Sequence, residues 1–405
     1  MPGRSEYPMN VKTILILGAL SACGPLAIDF YLPGFPAMAL SFATDEKHIQ
    51  TTLAAYFLGL SIGQLIYGPV ADRFGRRVPL LVGVSLFTLA SLACAFAPTL
   101  EWLIVARFVQ ALGGCAGMVL ARAIVSDKCD AVGSAKVFSQ LMLVMGLAPI
   151  LAPMLGGVLV NSWGWQWIFI LLTLFSAGCT LAVALGLPES MPADRPRRPL
   201  SGAPKLYGGL LLDPVFMGHA LTGGIAMAGM FAYIAGSPFV FIKLYDVPAE
   251  HYGWLFGSNA AGFILTAQVN ARLLSRRGPA WLLSRTVWVY MAAGIVLLAL
   301  SAMQPAQLWP LLVPLFVCLA SLGAIIPNAS ACAMNGQGSR AGSASALLGC
   351  LQFSLAAGAA SLVGVLHDGT AMPMASVIAG CGILAVCAAV LTRRCQQRRD
   401  LQVVA

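Results

Sequence analysis

The sequence predicts an all-α integral membrane protein with twelve transmembrane helices in two six-helix pseudo-symmetric halves. Three observations carry this prediction. Of the 405 residues, 59% are hydrophobic and only 10% are charged, where a soluble domain carries about 25% charged residues. The apolar residues gather in runs of about 20, the length that crosses the hydrocarbon core. Lys and Arg collect in alternate gaps between those runs, the signature of a chain threaded back and forth through a bilayer.

In chain order the spans fall near 13–40, 52–71, 78–97, 102–122, 137–160, 166–187, 215–242, 252–271, 281–302, 309–331, 343–366 and 373–392. The first is long and interrupted by Pro25, Pro33 and Pro36, which predicts a kink. Its Leu20-Ser21-Ala22-Cys23 looks like a lipoprotein cleavage site after Lys12. The apolar segment continues through Gly24-Pro25-Leu26-Ala27-Ile28, however, so the stretch reads as a membrane helix. Between the second and third spans stands Gly68-Pro69-Val70-Ala71-Asp72-Arg73-Phe74-Gly75-Arg76-Arg77, a tight turn at a membrane surface. Asp72 ends a helix, where a carboxylate meets the negative end of the macrodipole. It therefore needs a partner, either a nearby arginine or the N-terminus of another helix.

Placing both termini in the cytoplasm gives a testable count. Of the 24 Lys and Arg residues, Lys47 and Lys243 fall outside and Arg107 falls within the membrane, which leaves 21 inside. That bias fixes the orientation and accounts for the net charge of +9 without nucleic acid. The surface that carries this charge is the cytoplasmic one, and the lipid bilayer is the expected environment. The longest polar interval, 189–213, is basic and Pro-rich, and divides an N-terminal half, 1–188, from a C-terminal half, 214–405. Ala271-Arg272-Leu273-Leu274-Ser275-Arg276-Arg277 echoes the 71–77 turn but has lost its Asp and Gly. Two six-helix repeats about an axis normal to the membrane are a standard transporter plan.

Ionisable side chains within the spans are scarce: Asp29 in the first, Arg107 in the fourth and His219 near the cytoplasmic end of the seventh. An acid or guanidinium there costs about 2.5–3.5 kcal/mol on insertion scales, so it usually faces a cavity and works in it. At 1.5 Å per residue Arg107 lies about 10 Å and Asp29 about 16 Å from the outer surface, so they share a cavity or pair directly. Asp29 has the chemistry of a proton carrier, because burial and a nearby arginine move a carboxyl in opposite directions. The alternative is an Asp29–Arg107 pair that only fixes packing. His219 is read as snorkelling to the interface. The fifth span carries Gly146, Pro149, Pro153, Gly156 and Gly157, a bend with a close-approach face suited to a hinge or seal. The eleven cysteines lack metal-ligand spacing beside a histidine, so no metal is expected. A membrane-embedded enzyme would need clustered acids or histidines at one depth, and no Gly-x-x-x-x-Gly-Lys-Ser/Thr run supports ATP-driven transport.

With these residues in view the chain resembles the major facilitator superfamily over its full length. The resemblance rests on the 68–77 turn, on Leu103-Ile104-Val105-Ala106-Arg107-Phe108-Val109-Gln110-Ala111-Leu112-Gly113, and on the Pro/Gly run of the fifth span. Asp29-Phe30-Tyr31-Leu32-Pro33, Trp165-Gln166-Trp167-Ile168-Phe169, Leu187-Pro188-Glu189-Ser190 and Ser237-Pro238-Phe239-Val240-Phe241 resemble the bicyclomycin-resistance (Bcr/CflA) type of drug exporter. Ala111 and Ala152 stand where those signatures often have Gly, and the first span has one acid where some related exporters have two. The resemblance implies a proton-coupled antiporter exporting small drug-like molecules of the bicyclomycin, chloramphenicol or sulfonamide type. A metabolite exporter or proton symporter of the same fold is the alternative. It also implies no cofactor beyond the coupling proton, with Asp29 carrying that proton and Arg107 modulating it. Asp72, with Gly68, Arg73, Gly75, Arg76 and Arg77, would form a latch that meets the N-terminus of the eleventh helix at Gly342-Ser343. Tyr31, Phe231, Tyr233, Asn259, Asn328, Gln352 and Phe353 are the expected lining of a central substrate cavity.

Overall fold

The computed structural model of the chain describes residues 10–128, 137, 151–191, 203–335, 337 and 341–404. Asn10 starts α1 (Val11–Asp29), its side chain accepting from the Lys12 amide at 3.1 Å. The predicted kink is a full break. α1 stops at Asp29, and a 3-10 turn, Leu32–Gly34, leads into the short α2 (Phe35–Ser41). Pro33 and Pro36 sit at the starts of these two pieces, where a missing N–H costs no helical bond, and Pro25 is carried inside α1.

α3 (Glu46–Phe74), α4 (Arg77–Ala95) and α5 (Leu100–Lys128) follow, then α6, described over Leu151–Trp163, and α7 (Gln166–Gly186). Gly146 and Pro149 of the fifth predicted span lie outside the described residues, as do residues 192–202 of the 189–213 interval. The end of that interval holds a short helix, α8 (Ala203–Leu211), which the sequence reading lacked. α9 (Pro214–Pro238) is capped by Asp213, which accepts from the amides of Val215 and Phe216, and it runs into a π-helical turn, Phe239–Leu244. α10 (Ala249–Arg277), α11 (Pro279–Ala302), α12 (Trp309–Met334), α13 (Ala341–Val365) and α14 (Met372–Val404) complete the chain.

Among the described residues ten helices are long and apolar enough to cross a membrane. The other two of the twelve expected spans are α6, described in part, and α10, which has the length but carries His251, Asn259, Gln268 and Asn270.

The turn predicted over 68–77 is shorter than expected, because α3 continues to Phe74. A Cβ at Gly68 would meet nothing within 4 Å, so no steric demand selects glycine there. Gly75 is different. Its φ of 90° ends the helix in the left-handed region, and a Cβ would lie 2.5 Å from a Glu189 carboxylate oxygen. The echo at 271–277 does keep a glycine stop, displaced three residues: α10 continues to Arg277 and ends on Gly278, φ 71°. The end of the bundle that holds these two turns is called here the basic end.

Packing sorts the helices into two groups. α5 lies against α1, α3 and α4, and α7 closes on α1 and α4; α9 lies against α12, α13 and α14, with α11 on α12 and α14 and α10 on α12. A Cβ on Gly113 would strike the Phe87 amide and the Gly83 carbonyl, so α4 and α5 touch backbone to backbone. Between the groups α3 runs along α13 for most of its length. Gly364 lies beside Gln50 near one end, and Gly349 lies beside Gln64 nearer the other. Midway, Ser61 Oγ shares a 2.7 Å hydrogen bond with Ser354 Oγ and donates to the Cys350 carbonyl at 3.0 Å.

Candidate functional site

A cavity of about 470 Å³ lies between the two groups, walled by α1, α3, α5, α9, α10, α12 and α13. Its lining is almost wholly apolar: Met118, Met227, Met230, Phe231, Phe256, Phe263 and Phe353 supply much of the surface. Asp29 is the carboxylate in that wall, only 4% exposed, placed there because α1 terminates on it beside Pro25 and Ile28. Tyr233, Asn259 and Gln268 are its polar companions in the lining.

Four of the seven expected lining residues, Phe231, Tyr233, Asn259 and Phe353, are in the wall; Tyr31, Asn328 and Gln352 are not. Tyr31 is fully buried two residues beyond Asp29, its hydroxyl sharing a 2.5 Å hydrogen bond with Thr52. Asn328 of α12 is turned toward α10, where its amide donates to Asn270 Oδ1 at 2.7 Å. Gln352 is half-buried on α13 beside Gly224 of α9.

Arg107 and Asp29 do not form the pair that depth alone allowed. No carboxylate lies within ion-pairing distance of Arg107 among the described residues, and Arg107 is absent from the cavity wall. Its guanidinium is fully buried inside the α1–α3–α5–α7 group. It sits 4.5 Å from the Tyr31 ring centroid, 4.2 Å from that of Tyr56 and 5.8 Å from that of Phe169. Three aromatic faces thus take the place of a counter-ion. Nη1 donates to Gln110 Oε1 at 2.6 Å, and Gln110 Nε2 donates to Ser91 Oγ at 2.7 Å, which anchors the cage to α4. Nε and Nη2 have no hydrogen-bond partner among the described residues. Tyr31 links the two expected coupling residues, since it follows Asp29 by two positions and lies under Arg107.

At the basic end Asp72 takes the first of its two expected partners. Its carboxylate pairs with Arg76 Nη1 at 2.8 Å, while Arg76 Nε reaches Asp127 of α5 at 2.9 Å. Glu189, just past α7, accepts from the amides of Arg76 (2.9 Å) and Arg77 (3.1 Å) and so caps the first turn of α4 from outside. Arg77 answers by donating to the Ala184 carbonyl of α7 at 2.7 Å. Arg73 instead stacks over Phe74, 5.4 Å from its ring centroid. Partial burial pushes the Glu189 carboxyl up, but the amides of Met191, Arg76, Arg77 and Ser190 outweigh it and hold its pKa below the ordinary value. A depressed folded-state pKa stabilises the fold above the unfolded value, near 4.3, and that contribution is lost as pH falls through the folded value. Thermal unfolding in detergent is expected to lose stability over this acid window in the wild type. Glu189→Gln is expected to be less stable at pH 7 and to show a flatter acid limb.

In α6, Gly156 lies against the Phe30 carbonyl in the break after α1, and Pro153 and Gly157 are buried beside it. At the end opposite the basic turns the two groups meet. The 3-10 turn touches α9 and α10, α2 touches the π-helical turn, and Met154 of α6 packs on Gly253 of α10. Asn161 Nδ2 adds a 3.4 Å hydrogen bond to Glu250. At that end the two groups close on each other through packed backbone and side chains.

The family model described as Major Facilitator Superfamily matches residues 17–361. The chain belongs to that superfamily. It is therefore a multi-pass membrane transporter and not an enzyme. Among superfamily relatives, the uncharacterized MFS-type transporter YdgK of Bacillus subtilis is 40% identical over 90% of each chain. The bicyclomycin resistance protein homolog of Haemophilus influenzae is 30% identical over 93% of this chain and 94% of its own. Multidrug resistance protein D of Escherichia coli is 30% identical over 85% and 86%. The superfamily fold is shared with a bacterial homolog of the human lysosomal transporter Spinster, solved in an inward-facing and occupied conformation. The TM-score is 0.73 at 14% identity, covering 97% of this chain and 98% of that one.

Proposed function

We propose that this transporter is a proton-coupled antiporter that exports small, amphipathic, drug-like molecules across a bacterial cytoplasmic membrane, with both termini in the cytoplasm. The observation that carries the reading is one carboxylate in the wall of an otherwise apolar and aromatic cavity. Apolar walls take up cargo by burying its hydrocarbon surface, at about 25 cal/mol per Å². A cargo and a proton that both bear on Asp29 bind in alternation, and alternation at one group is the condition for antiport. The relatives named for bicyclomycin and multidrug resistance support the cargo class. One proton entering across 100 mV supplies about 2.3 kcal/mol.

In this reading the two helix groups rock about the cavity as a monomer in the bilayer. Arg107 holds Tyr31 and the break after Asp29 in place, and the Asp72–Arg76–Asp127–Glu189 cluster braces the basic end. When the cavity opens to the opposite side, Asp72 is free to exchange Arg76 for the N-terminus of α13, which begins at Ala341. Asp72→Asn is expected to leave cargo affinity within about twofold while slowing turnover; an unchanged rate in a labelled-cargo efflux assay removes the latch from the scheme.

The reading as a whole is tested in a pump-deficient strain overproducing the chain. A raised tolerance to amphipathic antibiotics, abolished by a protonophore, is the expected result. Uptake of cargo with the proton, or export of an amino acid or sugar with unchanged antibiotic tolerance, would replace it with the symporter or metabolite reading.

A further inference from the structure

The wall of the cavity that holds Asp29 continues, through Tyr233, into a set of buried hydroxyl groups. Asn259 Nδ2 of α10 donates to the Tyr233 hydroxyl of α9 at 3.1 Å. One turn further along α9, and so on the same helix face as Tyr233, Ser237 Oγ shares a 2.7 Å hydrogen bond with the Tyr252 hydroxyl. Tyr233 is 2% exposed, and Ser237 and Tyr252 are fully buried. Tyr252 is the fourth residue of α10, whose first residues include the exposed Glu250 and His251. At 1.5 Å per residue it lies about 5 Å from that helix end, and Asn259 lies about 10 Å deeper. The set thus spans the layer in which Met154 packs on Gly253 and the 3-10 turn closes on α9 and α10, the layer where the two groups close on each other at the end opposite the basic turns.

We propose that Tyr252, Ser237 and Tyr233 form a proton route through this layer, connecting the solution at the α10 N-terminus to Asp29 while the packed side chains exclude the cargo. The inference rests on the antiport reading and names the path its coupling ion takes. Each hydroxyl both donates and accepts. A proton delivered by water to Tyr252 displaces the Tyr252 proton to Ser237, the Ser237 proton to Tyr233, and the Tyr233 proton to a water or carboxylate oxygen at Asp29. Every hydroxyl ends neutral with one proton, and one positive charge has moved inward. Tyr233 is the member that lines the same cavity as Asp29. Asn259 can only donate to its oxygen, and so orients the phenol proton away from itself. The aromatic packing of Tyr252 and Phe256, centroids 5.7 Å apart, and of Tyr233 on Phe256, 5.3 Å apart, holds both rings in register.

Ser237 and Tyr252 do not line the cavity, so they can be altered without touching the cargo site. The test uses purified full-length protein in vesicles. Cargo-driven proton flux is compared with cargo–cargo exchange, which moves no net proton. Ser237→Ala and Tyr252→Phe are expected to lower the proton flux about tenfold, with exchange and cargo affinity changed less than twofold. Ser237→Thr, which restores a hydroxyl, is expected to recover most of the flux. Wild-type proton flux in both hydroxyl-free variants would overturn the route and leave the antiport reading standing. Absence of cargo-driven flux in the unmodified protein would overturn the antiport reading, and the route with it. Equal loss of flux and exchange in Tyr252→Phe and Ser237→Ala, without rescue by Ser237→Thr, would assign these residues to packing alone and also overturn the route.

Discussion

Asp29→Asn is expected to abolish cargo-evoked proton release while the protein still inserts and remains monodisperse. The substitution keeps the volume and the hydrogen-bonding reach of the side chain and removes only its ability to ionise. Because no arginine or lysine pairs with Asp29 among the described residues, neutralising it leaves no orphaned cation behind. The usual large penalty for breaking a buried ion pair, about 3–5 kcal/mol, is therefore not incurred. Stability close to wild type with coupling lost is the pattern that separates a working carboxylate from a structural one. Proton release measured with a pH dye on cargo addition gives the answer, and release at the wild-type level would make Asp29 a packing residue.

Arg107→Lys is expected to lower transport at least about tenfold, and Arg107→Ala to destabilise the protein by about 3–5 kcal/mol, as removal of a large buried ring does. The guanidinium is a flat plate lying against the rings of Tyr31 and Tyr56 and donating in its plane to Gln110. A lysine keeps the charge but has neither the plate nor the forked donors. The Tyr31 ring, two residues from Asp29, then loses the surface that fixes it. Efflux rate and thermal unfolding measured side by side separate the two effects. Wild-type efflux in Arg107→Lys would mean that any cation in this position suffices.

The fold was legible because insertion into a bilayer leaves few options. Runs of about 20 apolar residues must be helices, since no water satisfies their backbone, and the uneven distribution of Lys and Arg sets their alternation. Element ends were less legible. Pro25, Pro33 and Pro36 announced a disturbance in the first span, but only tertiary packing places the break at Asp29 rather than at a proline. The stop at Gly278 does not show in a residue-for-residue match of 271–277 to 71–77, because a glycine three positions later performs the same turn.

Within the site, Asp29 and Arg107 stood out because ions are rare in oil, yet their relation could not be read from depth. Two residues at one level of a bundle can face different neighbours, and helices apolar on every side carry no periodicity to orient them. Tyr56 and Phe169 therefore could not be assigned to Arg107, nor Asn328 to Asn270 instead of the cavity. Met118, Met227 and Met230 gave no signal at all, since a methionine in an apolar helix reads as core. Glu189 carries a sequence signal only as part of Leu187-Pro188-Glu189-Ser190. Its capping of α4 spans more than a hundred residues of sequence, and the one local clue was Gly75, whose missing side chain makes room for it.

The three methionine thioethers in the cavity wall carry a consequence for how such a carrier is evaded. Unbranched, polarisable side chains re-form around whatever outline is presented to them, so altering the carbon skeleton of a compound changes little. What they cannot accommodate is a fixed anion, which would have to share the chamber with a carboxylate and find no cation among the described lining residues to receive it. A chemist seeking a molecule that stays inside the cell should add negative charge before changing shape.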